Sequence, residues 1–83
     1  MNDGRLWEEL FTEMNGAAAR YGSFTSTHEA FGVLAEEVAE LLDAIRANKL
    51  ESVRGEAIQV AAVALRLAAS CRNNGSFQSR SGA

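Results

Sequence analysis

Three stretches of the chain repeat apolar residues at helical spacing. The first runs from about Arg5 to Arg20, and Tyr21-Gly22 is predicted to stop it. Its stripe consists of Leu6, Leu10, Met14 and Ala17. Trp7 and Phe11 lie beside that stripe, so we expect their rings to pack in the core.

The second stretch has a clear start signal. Ser26 followed three residues later by Glu29 predicts a capping box, in which each residue satisfies a backbone N–H of the first helical turn. The helix is predicted to continue to about Ala47, with Asn48 at its end. Its apolar side consists of Phe31, Leu34, Val38, Leu41, Leu42 and Ile45.

The third stretch, from about Leu50 to Arg72, is apolar on nearly every side. Between residues 57 and 69 only Gln59 and Arg66 are polar. A helix of this kind must be surrounded by other helices, and one short chain supplies only two neighbours. The pattern therefore predicts a homo-oligomer, a homodimer or a larger assembly, in which the small alanines of this helix pack closely.

These elements predict an all-α fold, a three-helix chain that forms an oligomeric helical bundle. Proline is absent, and the periodic stretches use strong helix formers. The 83 residues allow a single small domain, which we place at residues 1–72. Residues 73–83 are polar, glycine-containing and unpatterned, so we expect a flexible C-terminal tail.

Composition narrows the class of protein. The single cysteine, Cys71, has no partner in the chain, so we expect a small buried hydrophobe in a reducing compartment. No leader peptide or membrane-spanning segment is evident, which predicts a cytoplasmic protein without a membrane partner. The net charge is −3, and five of the eleven acids lie between Glu29 and Asp43, which disfavours a nucleic-acid surface.

Glu56 falls within an apolar stripe of the third helix. That stripe consists of Val53, Val60, Val63, Leu67 and Cys71. Burying a carboxylate on an apolar face destabilises the fold by roughly several kcal/mol unless the carboxylate is neutralised, paired or bound to a cation. Two explanations stay open at this point: a salt bridge to Arg46 or Arg54, or a bound metal ion.

The second helix supplies further carboxylates. Glu37 and Glu40 are three residues apart, and Glu36 and Glu40 are four apart, so each pair can direct its oxygens to one point. Oxygen ligands with no cysteine or histidine close by favour Mg²⁺, or Mn²⁺, over Zn²⁺. The alternative is a solvated acidic face, which is what most acid runs on helices form.

The arrangement Glu36-Glu37-x-x-Glu40 followed by Glu56-x-x-Gln59 resembles the metal signature of the all-α nucleoside triphosphate pyrophosphatases. The flanking segments 26–33 and 58–64 are similar to small MazG-like proteins of phages and mobile elements. The resemblance covers about residues 21–72.

This resemblance implies a Mg²⁺-dependent enzyme that hydrolyses a nucleoside triphosphate to the monophosphate and pyrophosphate, as nucleotide-pool housekeeping. Carried over by position, Glu37, Glu40 and Glu56 would bind the metal directly. Gln59 would be a further ligand, through its amide oxygen. Glu36 would either bind metal or orient the attacking water as the catalytic residue.

The chain departs from the family pattern at two points. Gln59 stands where the signature has Asp, and no further helix with basic residues follows. Substrate contacts would therefore come from elsewhere: Lys49 and Arg54, or Arg66 and Arg72, for phosphates, and Tyr21 and Phe24 for the base. A different class remains open, a catalytically inactive helical module for oligomerisation or protein binding.

Overall fold

A computed structural model of the chain describes residues 4–73, which form three α-helices. These are α1, Gly4–Tyr21; α2, Thr27–Ala47; and α3, Leu50–Asn73. The described residues contain no strand, which confirms the predicted all-α class, and each helix ends within one residue of its predicted position. None of the three helices has the length and hydropathy needed to cross a membrane. Apart from Asn73, the predicted tail lies outside the described residues.

Local hydrogen bonds explain where α1 ends and α2 begins. Gly22 has a positive φ of 74° and donates its N–H to the carbonyl of Ala18 at 2.8 Å, which closes α1. Ser26 caps α2, because its Oγ accepts from the N–H of Glu29 at 3.0 Å. The other half of the predicted capping box differs: Oε1 of Glu29 accepts from the N–H of Thr25 at 2.6 Å, one residue before the cap.

The connection between α2 and α3 consists of two residues, Asn48 and Lys49. Asn48 adopts the left-handed conformation, with φ 57°, and its N–H points to the carbonyls of Ala44 and Ile45. The carbonyl of Lys49 then accepts from the N–H of Val53 at 2.9 Å, which opens α3. Because this reversal is so short, α3 folds back antiparallel along α2.

The core lies where α3 packs against both α1 and α2. Its centre is formed by three buried residues, Phe24, Ala30 and Val63. Half-buried side chains surround them: Val33, Leu34, Leu67 and Cys71. Cys71, predicted to be buried, is half-buried and packs against the core. Phe24 comes from the connection between α1 and α2, so that connection is held against α3.

The apolar side of α2 is only partly used by this chain. Leu34 and Leu41 are half-buried, but four other residues of the predicted apolar side are exposed: Phe31, Val38, Leu42 and Ile45. The face turned toward α3 is carried by Ala30 and Ala44, whose small side chains let the two helices approach closely. The predicted apolar side is therefore divided between the core and an outer surface.

The aromatic residues of α1 also differ from expectation. Trp7 and Phe11 are 59% and 52% exposed, and their rings stack on each other with centroids 6.4 Å apart. The prediction that they pack in the core of this chain is therefore wrong. Leu10 and Ala17 are the buried residues of α1, and they occupy the neighbouring side of the helix.

Candidate metal centre

The reversal at Asn48 sets which residues of α2 and α3 lie side by side. Glu40 lies eight residues before Asn48 and Glu56 eight residues after it. Glu37 and Gln59 are likewise placed eleven residues before and after it. In an antiparallel hairpin of two helices, residues equidistant from the turn lie at the same height, so the two pairs form adjacent layers one helical turn apart.

Three carboxylates converge in these layers. Glu37, Glu40 and Glu56 each offer an oxygen, and these oxygens all lie within 4.8 Å of one another. We call this group the acidic triad. Oε1 of Glu37 and Oε1 of Glu56 are buried, and no hydrogen-bond donor reaches either atom. Buried oxygens in this position are costly for the folded chain unless something neutralises them.

The triad is electrostatically strained. Burial is the largest cause that raises the pKa of Glu37, and the charges of Glu40 and Glu56 raise it further. The charge of Glu56 is the largest cause that raises the pKa of Glu40. Every interaction that acts on these two pKa values raises them. Like charges therefore lie close together in this part of the described chain.

Two arginines contact carboxylates of α1. The guanidinium of Arg54 donates to Oε2 of Glu9, so this contact joins α1 to α3. Nη2 of Arg20 lies 3.8 Å from Oε2 of Glu13 within α1. Neither of these two contacts involves a carboxylate of the acidic triad.

The donor set of the triad suits a hard divalent cation. Carboxylate oxygens are the ligands that Mg²⁺ and Mn²⁺ prefer, and Mg²⁺ binds oxygens at about 2.1 Å. Oxygens on opposite sides of one such ion are therefore about 4.2 Å apart. At most one pair of the three oxygens can be opposite, and neighbouring oxygens on such an ion are about 3.0 Å apart. Side-chain rotations would therefore have to bring oxygens that lie within 4.8 Å of one another closer together.

The other two predicted site residues of this motif lie beside the triad. Glu36 is exposed on α2 and is not a member of the triad, although its charge contributes to the raised pKa of Glu40. Gln59 is half-buried, shares the layer of Glu37 and lines a cavity with it. Its amide therefore stands where the resembled signature places a fourth acid.

A cavity of about 340 Å³ begins beside the triad. It lies over α3, between α1 and the start of α2, with Glu37 and Gln59 toward the triad and the connection between α1 and α2 at the other end. Its apolar lining consists of Ala17, Phe24, Val33, Ala62 and Val63. A largely apolar cavity with a few polar groups is the usual form of a small-molecule site.

The structure places the predicted substrate contacts in different surroundings. Tyr21 lines the cavity and is 71% exposed, whereas Phe24 lines it from a buried position. Lys49 is exposed in the connection between α2 and α3 and is not among the cavity-lining residues. Arg54 is held by Glu9 and likewise does not line the cavity.

Sequence reasoning missed four polar residues of the cavity: Glu13, Arg20, Ser23 and Glu29. They line it together with Arg66, which the sequence analysis names only as a phosphate contact. The sequence predicts Glu29 as part of the helix cap and of the acidic run on the second helix, not as a cavity residue. Three of the four lie close to the turn before α2, but the sequence gives no measure of how α1 and α3 close around that turn.

Comparison of the chain with protein-family models, with curated proteins and with solved structures finds no match.

Proposed function

We propose that this protein is a Mg²⁺-dependent nucleoside triphosphate pyrophosphohydrolase, which converts a nucleoside triphosphate to the monophosphate and pyrophosphate. The observation that carries the proposal is the acidic triad, because two of its carboxylate oxygens are buried without a donor. The resemblance of the motif around Glu36–Glu40 and Glu56–Gln59 to the all-α pyrophosphatases supports the same activity. The adjacent cavity offers space for a nucleoside.

The residues of the triad fit the metal that this activity needs. Glu37, Glu40 and Glu56 would hold the ion, and Gln59, which lines the same cavity as Glu37, would assist through its amide oxygen. When bound, Mg²⁺ supplies positive charge that stabilises the developing charge on the phosphates. The triad is crowded before the ion arrives, so the chain is preorganised to bind it.

Glu36 is the acidic residue of this motif that is not a member of the triad. It is exposed and lies one helical turn before Glu40 on the same side of α2. We assign it the role of accepting a proton from the attacking water, since a carboxylate next to the ligands is placed to orient that water. Gln59 and Glu37 also line the cavity. In this proposal they therefore lie between the phosphates at the triad and the nucleoside in the cavity.

The active form is proposed to be a homodimer or a larger homo-oligomer in the cytoplasm. Phe31, Val38, Leu42 and Ile45 are exposed on one side of α2, and Ala35 between them is exposed as well. Their spacing alternates four and three residues, which is the repeat by which one helix packs along another. A second copy of this helix presents the same apolar surface, so it is a suitable partner.

The positions of Arg54 and Lys49 and the identity of Gln59 favour the alternative, an inactive helical module for oligomerisation or protein binding. Arg54 contacts Glu9, and neither Arg54 nor Lys49 lines the cavity. Gln59 also stands in place of an acid. A chain that kept the acidic triad but lost its phosphate contacts would retain the helical surfaces without the reaction.

Pyrophosphate release separates the two functions. Purified protein is incubated with Mg²⁺ or Mn²⁺ and each of the common nucleoside triphosphates, and is compared with Glu40→Gln and with the control Glu51→Gln, an exposed acid in the first turn of α3. The proposal expects release by the wild type and by the control, and a loss of at least about 100-fold in Glu40→Gln. No release from any nucleotide, or equal rates in Glu40→Gln, would favour the inactive module.

A further inference from the structure

The cavity beside the triad is suited to a nucleobase and poorly suited to phosphates. Three carboxylates line it, those of Glu13, Glu29 and Glu37, and Arg20 on its wall is within ion-pair distance of Glu13. A polyphosphate would meet more negative than positive charge there. A flat ring, in contrast, gains from the apolar lining around Val63.

The length of the cavity fits a nucleoside whose phosphates stay at the triad. Gln59 lies at the end of the cavity next to the triad, and Arg66 lies seven residues further along α3. Seven residues of helix correspond to about 10 Å along its axis. A nucleoside extends over a comparable distance from its 5′ oxygen to the outer edge of its base.

Arg66 is held in a fixed orientation at the far end. Its guanidinium lies over the ring of Phe24, 4.4 Å from the ring centre, and its Nη2 donates to the carbonyl of Gly22 at 3.2 Å. A guanidinium carries five N–H donors, so this single hydrogen bond leaves others for a ligand. The guanidinium covers one face of Phe24 and Arg66 lines the cavity, so a base in the cavity can meet its remaining donors.

Glu29 is an acceptor beside Arg66. The N–H and the hydroxyl of Thr25 both donate to Oε1 of Glu29, which leaves Oε2 as an acceptor. The N–H of Thr25 is the largest cause that lowers the pKa of Glu29, and the charge of Arg66 lowers it further. The carboxylate is therefore ionised at neutral pH and cannot donate a proton to a ligand.

We propose that this cavity holds the nucleobase and that Arg66 and Glu29 select guanine, an inference that rests on the proposed function. Guanine presents two neighbouring acceptors, O6 and N7, which match the paired donors of a guanidinium. It also presents two neighbouring donors, N1–H and the 2-amino group, which match a carboxylate. No other common base offers both pairs.

Binding of nucleoside monophosphates to the Mg²⁺-loaded protein tests this proposal without any hydrolysis. GMP, IMP, AMP, CMP and UMP are titrated by calorimetry, and IMP is the sharpest comparison because it lacks only the 2-amino group of GMP. We expect GMP to bind at least about tenfold more tightly than each of the others, since a carboxylate acceptor left without its donor weakens binding.

Variants assign the selection to the two residues. Glu29→Gln is expected to remove the GMP over IMP preference, while its amide oxygen can still accept from Thr25. Arg66→Lys, which keeps the charge but loses the planar fork, is expected to weaken GMP binding about tenfold. Glu51→Gln and Arg46→Lys, at exposed positions outside the cavity, should change neither. Circular dichroism checks that each variant remains helical.

The proposal is overturned if no monophosphate binds, if all five bind equally, or if Glu29→Gln keeps the GMP over IMP ratio. Its failure is distinguishable from failure of the proposed function. Pyrophosphate release at equal rates from all nucleoside triphosphates would leave the activity standing and remove the guanine selection. Selective GMP binding without pyrophosphate release from any nucleotide would leave the guanine selection standing and remove the proposed activity.

Discussion

Glu56 is the residue on which the account depends most. On α3 it is half-buried beside Val53 and Val60, and its Oε1 lacks a donor. Its only charged neighbours in the triad, Glu37 and Glu40, carry the same sign. Such a group destabilises the folded chain locally, and under the proposed function a bound cation would relieve this destabilisation.

Replacement of this one carboxylate should therefore stabilise the metal-free protein. Glu56→Gln removes a charge from the triad, and its amide N–H groups can donate to Glu37 and Glu40. We expect the melting temperature without metal to rise by about 4 °C. The control Glu51→Gln should not raise it, because Glu51 lies outside the triad and in the first turn of α3, where a carboxylate stabilises the helix. A lower melting temperature for Glu56→Gln in EDTA would show that Glu56 is stabilising as it stands.

The acidic triad also predicts how the stability of the metal-free protein depends on pH. The pKa values of Glu37 and Glu40 are raised above their ordinary value of 4.5, so the folded protein binds more protons than the unfolded chain just above that pH. The free energy of unfolding should therefore fall as the pH rises from about 4.5 through the raised pKa values.

Urea titrations of the metal-free protein at pH 4.5, 5.5 and 6.5 measure this trend. Saturating Mg²⁺ should reduce the fall, because the ion binds the ionised carboxylates and stabilises the folded state. In the Glu37→Gln, Glu40→Gln double variant, most of the fall in the free energy of unfolding with rising pH should disappear. An unfolding free energy that rises over this pH range in EDTA would contradict the electrostatic account of the triad.

At the level of helices, the ends were predictable because their signals are local. Ser26 and Asn48 each act on backbone groups within a few residues, so the sequence contains the whole interaction. The triad was predictable for a related reason: a two-residue turn at Asn48 brings Glu40 and Glu56 to one height whatever the rest of the chain does.

The rotation of α2 about its axis could not be predicted in the same way. Its apolar residues cover a wide arc, and the helical wheel does not say which part of that arc faces α3. In the structure Ala30 and Ala44 face the core, where their small side chains permit close packing, and Phe31 is exposed. The ion pair of Arg54 with Glu9 joins residues 45 positions apart, and no local pattern encodes it.

The N-cap of α2 has a measurable share in the stability of the hairpin. Ser26→Ala removes the hydroxyl that accepts from the N–H of Glu29, and we expect it to lower the free energy of unfolding by about 1 kcal/mol. Ser26→Asp keeps a hydrogen-bond acceptor at the cap, so it should retain most of the wild-type free energy of unfolding. Ser52→Ala, at an exposed position within α3, is the matched control. Chemical denaturation gives all four values, and equal stability of Ser26→Ala and wild type would remove the cap from the account.

For the whole molecule, the unused apolar surface of α2 predicts assembly. Phe31, Val38, Leu42 and Ile45 form an exposed apolar row along one side of α2, and contiguous exposed apolar patches often mark interaction surfaces. Leu42→Lys places a charge in the middle of this row, so we expect it to shift the protein from dimer or larger to monomer. Glu36→Lys, on another side of the same helix, is the control.

Sedimentation or light scattering at about 10 µM measures the assembly. A wild-type chain that is monomeric at this concentration, or a Leu42→Lys variant with the wild-type mass, would contradict the proposed interface. The circular dichroism spectrum of each variant shows whether the helices persist. Pyrophosphate release by the monomeric variant would in addition show that one chain contains a complete site.

The central claim is that the acidic triad binds a divalent cation. Calorimetric titration of the metal-free protein with Mn²⁺, which we expect to bind more tightly than Mg²⁺, tests it most directly. The account predicts saturable binding to the wild type and to Glu51→Gln, and loss of that binding in Glu56→Gln, because the triad loses one of its three carboxylates. The same Mn²⁺ affinity in Glu56→Gln as in wild type, or no saturable binding to the wild type, would contradict it.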